Sequence, residues 1–238
     1  FQTLERKQNY WDHEYTRLLI EADVPALGYA VYTVVPSSDA GRKTSFINDM
    51  RVQTPDEFIL ENELLKVRLN SLDGSLASVI YKPTGRELVD PTRPSGIFRY
   101  VREAGPKGVT SWNETMSAWF TGRYNRIESA HQHVQIKTVW NGPLRTQVRL
   151  EASFGASRLT ADIFLDKGSS NLCYSLDCDW REFGSADEIP ALNFYLPSAI
   201  PCAEYQFDIP FGVITRQGRN MDLPGNSFAC AVTKPERL

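Results

Sequence analysis

The sequence predicts an all-β fold, a large antiparallel sandwich. Three observations carry that expectation. Short β-prone runs follow one another along most of the chain, separated by glycine-bearing turns. Several of these runs alternate apolar and polar residues, which puts the two kinds on opposite faces of a strand. No segment sustains the apolar period of a helix.

Taken in order, Glu5 to Ile20 reads as polar and irregular, with Tyr10, Trp11 and Tyr15 interspersed. Tyr15 to Val24 suits a strand, and Ala26 to Val35 is rich in the β-branched and aromatic residues that favour another. Pro25 and Gly28 punctuate the gap between them. Pro36-Ser-Ser-Asp-Ala-Gly-Arg42 is turn-forming, and a domain boundary is expected at about residues 36–55. It divides a leader with strands of a smaller β domain, 1–38, from a sandwich over 54–238. Within the sandwich, strands are expected at Phe58–Leu60, Leu64–Leu69, Leu76–Tyr81, Ile97–Val101, Val134–Val139, Arg145–Ala152, Arg158–Leu165, Asn171–Asp179 and Leu192–Leu196. Leu65-Lys-Val-Arg-Leu69 and Thr146-Gln-Val-Arg-Leu-Glu-Ala152 show the clearest alternation. Turns are expected at Asp73-Gly74, Thr84-Gly85, Asn141-Gly142-Pro143 and Lys167-Gly168, with Asp73-Gly74 suited to a tight connection that needs positive φ.

Of the 238 residues, 42% are hydrophobic, enough for a sizeable core, and the net charge of -3 gives no electrostatic case for nucleic acid or an anionic membrane. No apolar run reaches transmembrane length. The first residues are neither a signal peptide nor a natural initiation and read as a cut inside a longer protein, assigned to the cytoplasm. Cys173, Cys178, Cys202 and Cys230 do not form a disulfide framework. Cys173 and Cys178 fall on opposite strand faces without zinc-knuckle spacing, so free buried thiols are expected.

Few residues carry chemistry. His131 and His133 share a strand face if the strand is regular, a geometry that can chelate a metal. The third histidine, His13, is in the leader, so an exposed strand face is the favoured reading and no metal site is expected. Asp177, Asp179 and Glu182 surround Trp180; paired carboxylates can hydrolyse glycosides, but at a strand end they more often form turns. Thr110 to Tyr124 is a loop carrying Trp112 and Trp119, whose rings can stack on a sugar or fold back on the sandwich. Asn113-Glu-Thr115 matches a glycosylation sequon. Nucleophile-elbow, phosphate-loop and dinucleotide motifs are absent from the sequence.

Six motifs occur in a fixed order along the chain. They are Ala22-Asp-Val-Pro-Ala-Leu-Gly-Tyr-Ala-Val-Tyr32, Leu60-Glu-Asn-Glu-Leu-Leu-Lys-Val-Arg-Leu69, Asp73-Gly-Ser-Leu-Ala-Ser-Val-Ile-Tyr-Lys-Pro-Thr-Gly-Arg-Glu-Leu88, Gly142-Pro-Leu-Arg145, Cys178-Asp-Trp-Arg-Glu182 and Phe207-Asp-Ile-Pro-Phe-Gly-Val-Ile-Thr-Arg216, followed by Asp222-Leu-Pro224. In this order they resemble the C-terminal region of glycoside hydrolase family 38 α-mannosidases, with one departure, Leu192-Asn193 where the family often has Leu-Lys.

The resemblance implies a galactose-mutarotase-like supersandwich. It implies a parent enzyme that hydrolyses terminal α-mannosidic bonds with retention, using a zinc ion and an Asp nucleophile on an N-terminal barrel upstream of this sequence. No residue here inherits a catalytic or metal-binding role. The expected partners are that catalytic domain and α-mannosides or oligosaccharide, contacted through Trp112, Trp119 and Arg216. The alternatives are a stand-alone carbohydrate-binding module and an aldose-epimerase-like enzyme, the latter disfavoured by the poor histidine supply.

Overall fold

A computed structural model describes residues 1–8, 14–35, 57–104, 123–185, 187–218, 223 and 225–232. The expected domain boundary, Trp112, Trp119, Asn113 and His13 lie outside these residues. Sixteen strands run along the described chain: β1 (Gln2–Gln8), β2 (Glu14–Leu19), β3 (Glu57–Glu61), β4 (Leu65–Asn70), β5 (Leu76–Tyr81), β6 (Arg86–Glu87), β7 (Ile97–Ala104), β8 (Arg123–Ser129), β9 (Gln132–Asn141), β10 (Arg145–Phe154), β11 (Ser157–Asp166), β12 (Leu172–Asp179), β13 (Ile189–Tyr195), β14 (Glu204–Ile209), β15 (Gly212–Gln217) and β16 (Ala229–Val232). No helix occurs among the described residues, and every pairing is antiparallel.

The central layer is the sheet β12-β11-β10-β9. Alternation in β10 turns Val148, Leu150, Ala152 and Phe154 to one buried face, and β11 does the same with Leu159, Ala161, Ile163 and Leu165. Two further sheets pack on that face. The sheet β3-β4-β5-β6 brings Phe58, Leu60, Val67, Leu69 and Val79 against Val148, Ile163 and Leu165. The sheet β13-β7-β8 brings Phe98 and Tyr100 against Leu150, Ala152, Phe154, Leu159 and Ala161. Each fully buried Leu, Phe or Val contributes about 1.5–3 kcal/mol by leaving water. The two upper sheets are joined by a bridge between Val89 and Ser198 and by the Ala199 N–H donating to the Leu88 carbonyl at 3.1 Å. On the opposite face of β10 and β11, Arg145 and Arg149 form two-pronged ion pairs with their directly opposed partners, Asp166 and Asp162.

The turns tie these layers together through single side chains. The Asn62 amide donates to the carbonyls of Asp166 (2.7 Å) and Ser169 (2.8 Å), while its oxygen accepts the Leu64 and Leu65 N–H groups. One residue thus fixes its own turn and the β11–β12 turn. Gln2 plays the same part for the N-terminal strands. Its oxygen accepts from the N–H groups of Leu144 (3.1 Å) and Arg145 (2.8 Å), and its nitrogen donates to the Arg145 carbonyl (3.2 Å). A Cβ at Gly142 would collide with that amide, which explains the glycine of Gly142-Pro-Leu-Arg145.

Several expectations need correction. The irregular leader instead contains β1 paired with β2. The expected strand over Ala26–Val35 does not form; the segment is exposed throughout, with Leu27 at φ 57. High β-propensity gives no strand without a partner edge to complete its hydrogen bonds. Instead a turn closes from the Gly28 N–H to the Pro25 carbonyl at 3.0 Å, and the Tyr32 hydroxyl clamps the backbone of Asp23. The Asp73-Gly74 connection has Gly74 at positive φ, but it belongs to a loop over residues 71–75 rather than a tight turn. The four thiols are free, yet none is buried, because all sit on peripheral strands or beside them.

Among the described residues, two buried side-chain polar atoms lack a hydrogen-bond partner, the Arg99 Nε and the Tyr174 hydroxyl. The Tyr174 hydroxyl is buried, with no hydrogen bond, against Phe98 and Phe194. Burial raises its pKa well above the ordinary tyrosine value. Tyr174→Phe removes an unmet polar group and keeps the ring, so chemical denaturation should show a gain of about 1 kcal/mol. A loss of that size would mean the hydroxyl has a partner.

Candidate functional site

Two of the three carboxylates around Trp180, Asp179 and Glu182, are engaged in structure. Asp177 and Asp179 lie exposed on β12, and Asp179 pairs with Arg181 at 2.7 Å. The hydrogen bond from Arg181 holds the Asp179 carboxyl below its ordinary value. Glu182 turns the other way. It accepts the Tyr100 hydroxyl at 2.8 Å, the Ser157 hydroxyl at 2.8 Å and the Ala156 N–H at 2.7 Å. Burial alone would raise its pKa, but these donors hold it below the ordinary glutamate value. Gly155 turns at φ 51 beneath that carboxylate, where a Cβ would strike it. Trp180 donates its indole N–H to the Glu182 carbonyl at 3.0 Å and packs on Phe154 and Tyr100. Glu182 is therefore a turn clamp and Asp179 one half of an ion pair, while Asp177 is an exposed strand residue.

His131 is not on an exposed strand face. Its Nδ1 lies 2.6 Å from the Asp73 carbonyl, which can only accept, so Nδ1 carries the proton. Its Nε2 then accepts the Phe98 N–H at 2.9 Å. Phe98 returns its carbonyl to the Ala130 N–H at 3.0 Å. Burial lowers the His131 pKa, against a smaller opposing effect of the Asp73 carbonyl and charge. His133 sits at φ 50, where the β9–β10 register slips between Glu151 and Ser153. That bulge breaks the alternation on which shared chelation rested. The imidazoles do not fit a zinc centre, and no group of three metal-ligating side chains occurs among the described residues.

Of the proposed sugar contacts, Arg216 is described. It lies on β15 opposite Tyr205 of β14, with its guanidinium 5.3 Å from the Phe207 ring. Asp208, which follows those aromatics on β14, accepts the N–H groups of Asn226, Ser227 and Phe228 and pins the following loop beside the hairpin. The Ser227 hydroxyl bond, then the Phe228 N–H bond, hold its carboxyl far below the ordinary range. The hairpin tip is Pro210-Phe211, with Phe211 at φ 66 and fully exposed.

Residue patterns alone missed the roles of Asn62, Gln2 and Glu182, all polar side chains that satisfy distant backbone. Asn62 and Glu182 fall inside the motifs quoted above, and that placement was the available signal. The family model for the glycosyl hydrolases family 38 C-terminal domain matches residues 60–230 of this chain. No curated protein matches it.

Proposed function

We propose that this chain, which belongs to the glycosyl hydrolase family 38 C-terminal domain family, is the non-catalytic β-rich portion of a retaining, zinc-dependent α-mannosidase. It buttresses a catalytic barrel carried by another part of the enzyme. The observation that supports this reading is the use of the acids around Trp180. Glu182 has three protein donors and Asp179 an ion pair, which leaves neither poised as a nucleophile or a proton donor. A zinc ion, where the parent enzyme holds one, would polarise the bound sugar, and His131 and His133 do not fit it here.

A second reading, direct contact with carbohydrate through Trp112, Trp119 and Arg216, is favoured by the placement of Arg216 beside Tyr205 and Phe207. Guanidinium and aromatic faces are common means of holding sugar rings. The chain incubated with zinc and an aryl α-mannoside should release no aglycone; sustained turnover would overturn the accessory role. A saturable change in tryptophan fluorescence on titration with mannosides would establish the second reading, and a flat titration would remove it.

A further inference from the structure

The outer face of the β13-β7-β8 sheet carries a guanidinium that no carboxylate of the described residues neutralises. Alternation in β7 sends Phe98 and Tyr100 into the core and Ile97, Arg99 and Val101 to the other side. Ile97 and Val101 are also buried, so the half-buried Arg99 rises from apolar surroundings. Its guanidinium lies 4.0 Å from the centre of the Tyr195 ring, which fixes its plane. Its Nε is buried with no hydrogen-bond partner. Six described arginines, Arg68, Arg93, Arg126, Arg145, Arg149 and Arg181, each have a carboxylate partner. Among the described residues Arg99 has none.

The residues directly opposite Arg99 are neutral and polar: Asn193 on β13 and Ser129 on β8. Asn193 is oriented by donating to the Tyr124 hydroxyl at 3.4 Å. The next carboxylate along this face of β7 is Glu103, beyond Val101. A rigid, partly desolvated guanidinium without a counter-charge attracts an oxyanion, whose two oxygens match its fork. The amide and hydroxyl on either side add neutral contacts suited to hydroxyl groups.

We propose that Arg99, flanked by Asn193 and Ser129 and held by Tyr195, is a binding site for the oxyanion of an acidic sugar, a carboxylate or a phosphate ester. This goes beyond the accessory role and does not depend on it, since the neutral mannosides of that reading carry no such group. The test is a titration of the whole chain with glucuronate, with glucose 6-phosphate, with inorganic phosphate and with neutral glucose. The readout is the Nε–H resonance of Arg99 in a nitrogen-15 spectrum, assigned by its loss in Arg99→Lys.

A saturable shift with one acidic sugar, and none with glucose, is the expected result; whichever acid binds more tightly names the oxyanion. Arg99→Lys should weaken binding about tenfold, the loss of one charge-assisted hydrogen bond. Asn193→Ala should weaken it for the sugars but not for inorganic phosphate. No shift with any acid overturns the proposal, and wild-type protein suffices for that outcome. Inorganic phosphate binding as tightly as the sugars overturns the carbohydrate part.

Discussion

Gly74→Ala is expected to destabilise the chain by about 3 kcal/mol, read as a fall in the denaturation midpoint with the slope unchanged. Two costs add. Gly74 has φ 70, and a side chain in that left-handed region costs about 1–2 kcal/mol. The new Cβ would also overlap Leu150 Cδ1, and Leu150 is only 1% exposed in the core. Overpacking of this kind costs about 1–3 kcal/mol because the close-packed surroundings cannot yield freely. The loop cannot move aside easily. The Gly74 N–H donates to the Asn70 carbonyl at 2.8 Å, and the Asn70 N–H donates to the Ser75 carbonyl at 2.8 Å. Gly85→Ala is the control, with φ 68 and open space around its Cβ, so it carries the backbone cost alone. Equal losses in the two variants would show that Leu150 gives way.

Much of the sandwich was legible because its strands carry their own pattern. Leu65-Lys-Val-Arg-Leu69 and Thr146 to Ala152 alternate, and both form strands with the apolar set buried. The strands that were not legible lack that pattern for physical reasons. β8 and β14 to β16 are exposed or half-buried along most of their length, so solvent imposes no strict alternation on them. β6 is two residues long. Ala26–Val35 misled in the opposite direction, since its composition suits a strand and no edge receives it.

The polar sites were less legible than the sheets. The neighbours of Arg99 come from β8 and β13, and the donors to Glu182 lie as far as 82 residues away in sequence. Residue type and spacing carry no record of such meetings. The family motifs mark some of these positions without saying what each residue does there. Glu182 of Cys178-Asp-Trp-Arg-Glu182 holds a glycine turn, and Asn62 of the first sandwich hairpin holds two turns.

His131 should make this fold acid-sensitive. Its partners are 58 and 33 residues distant, and they place one imidazole between three sheets, where the β4–β5 loop, β7 and the start of β9 meet. The Phe98 N–H bond to Nε2 requires the neutral ring, whereas the Nδ1 bond to the Asp73 carbonyl survives protonation. Protonation would put a second donor on Nε2, facing the Phe98 N–H, and would charge a buried group. The folded pKa therefore lies below the ordinary 6.5, the value expected once the chain unfolds. A depressed value means that the stabilisation is present in full above 6.5, declines as pH falls below it, and is gone once pH passes below the folded value. The Asp73 carboxylate favours the charged ring, yet burial outweighs it. His131→Ala should cost about 2 kcal/mol at neutral pH, the loss of two partly buried hydrogen bonds. The difference between variant and wild type should shrink as the pH is lowered through the acidic range. A gap that stays constant with pH would show that His131 acts only by packing, whereas convergence would identify a three-sheet latch that opens on protonation.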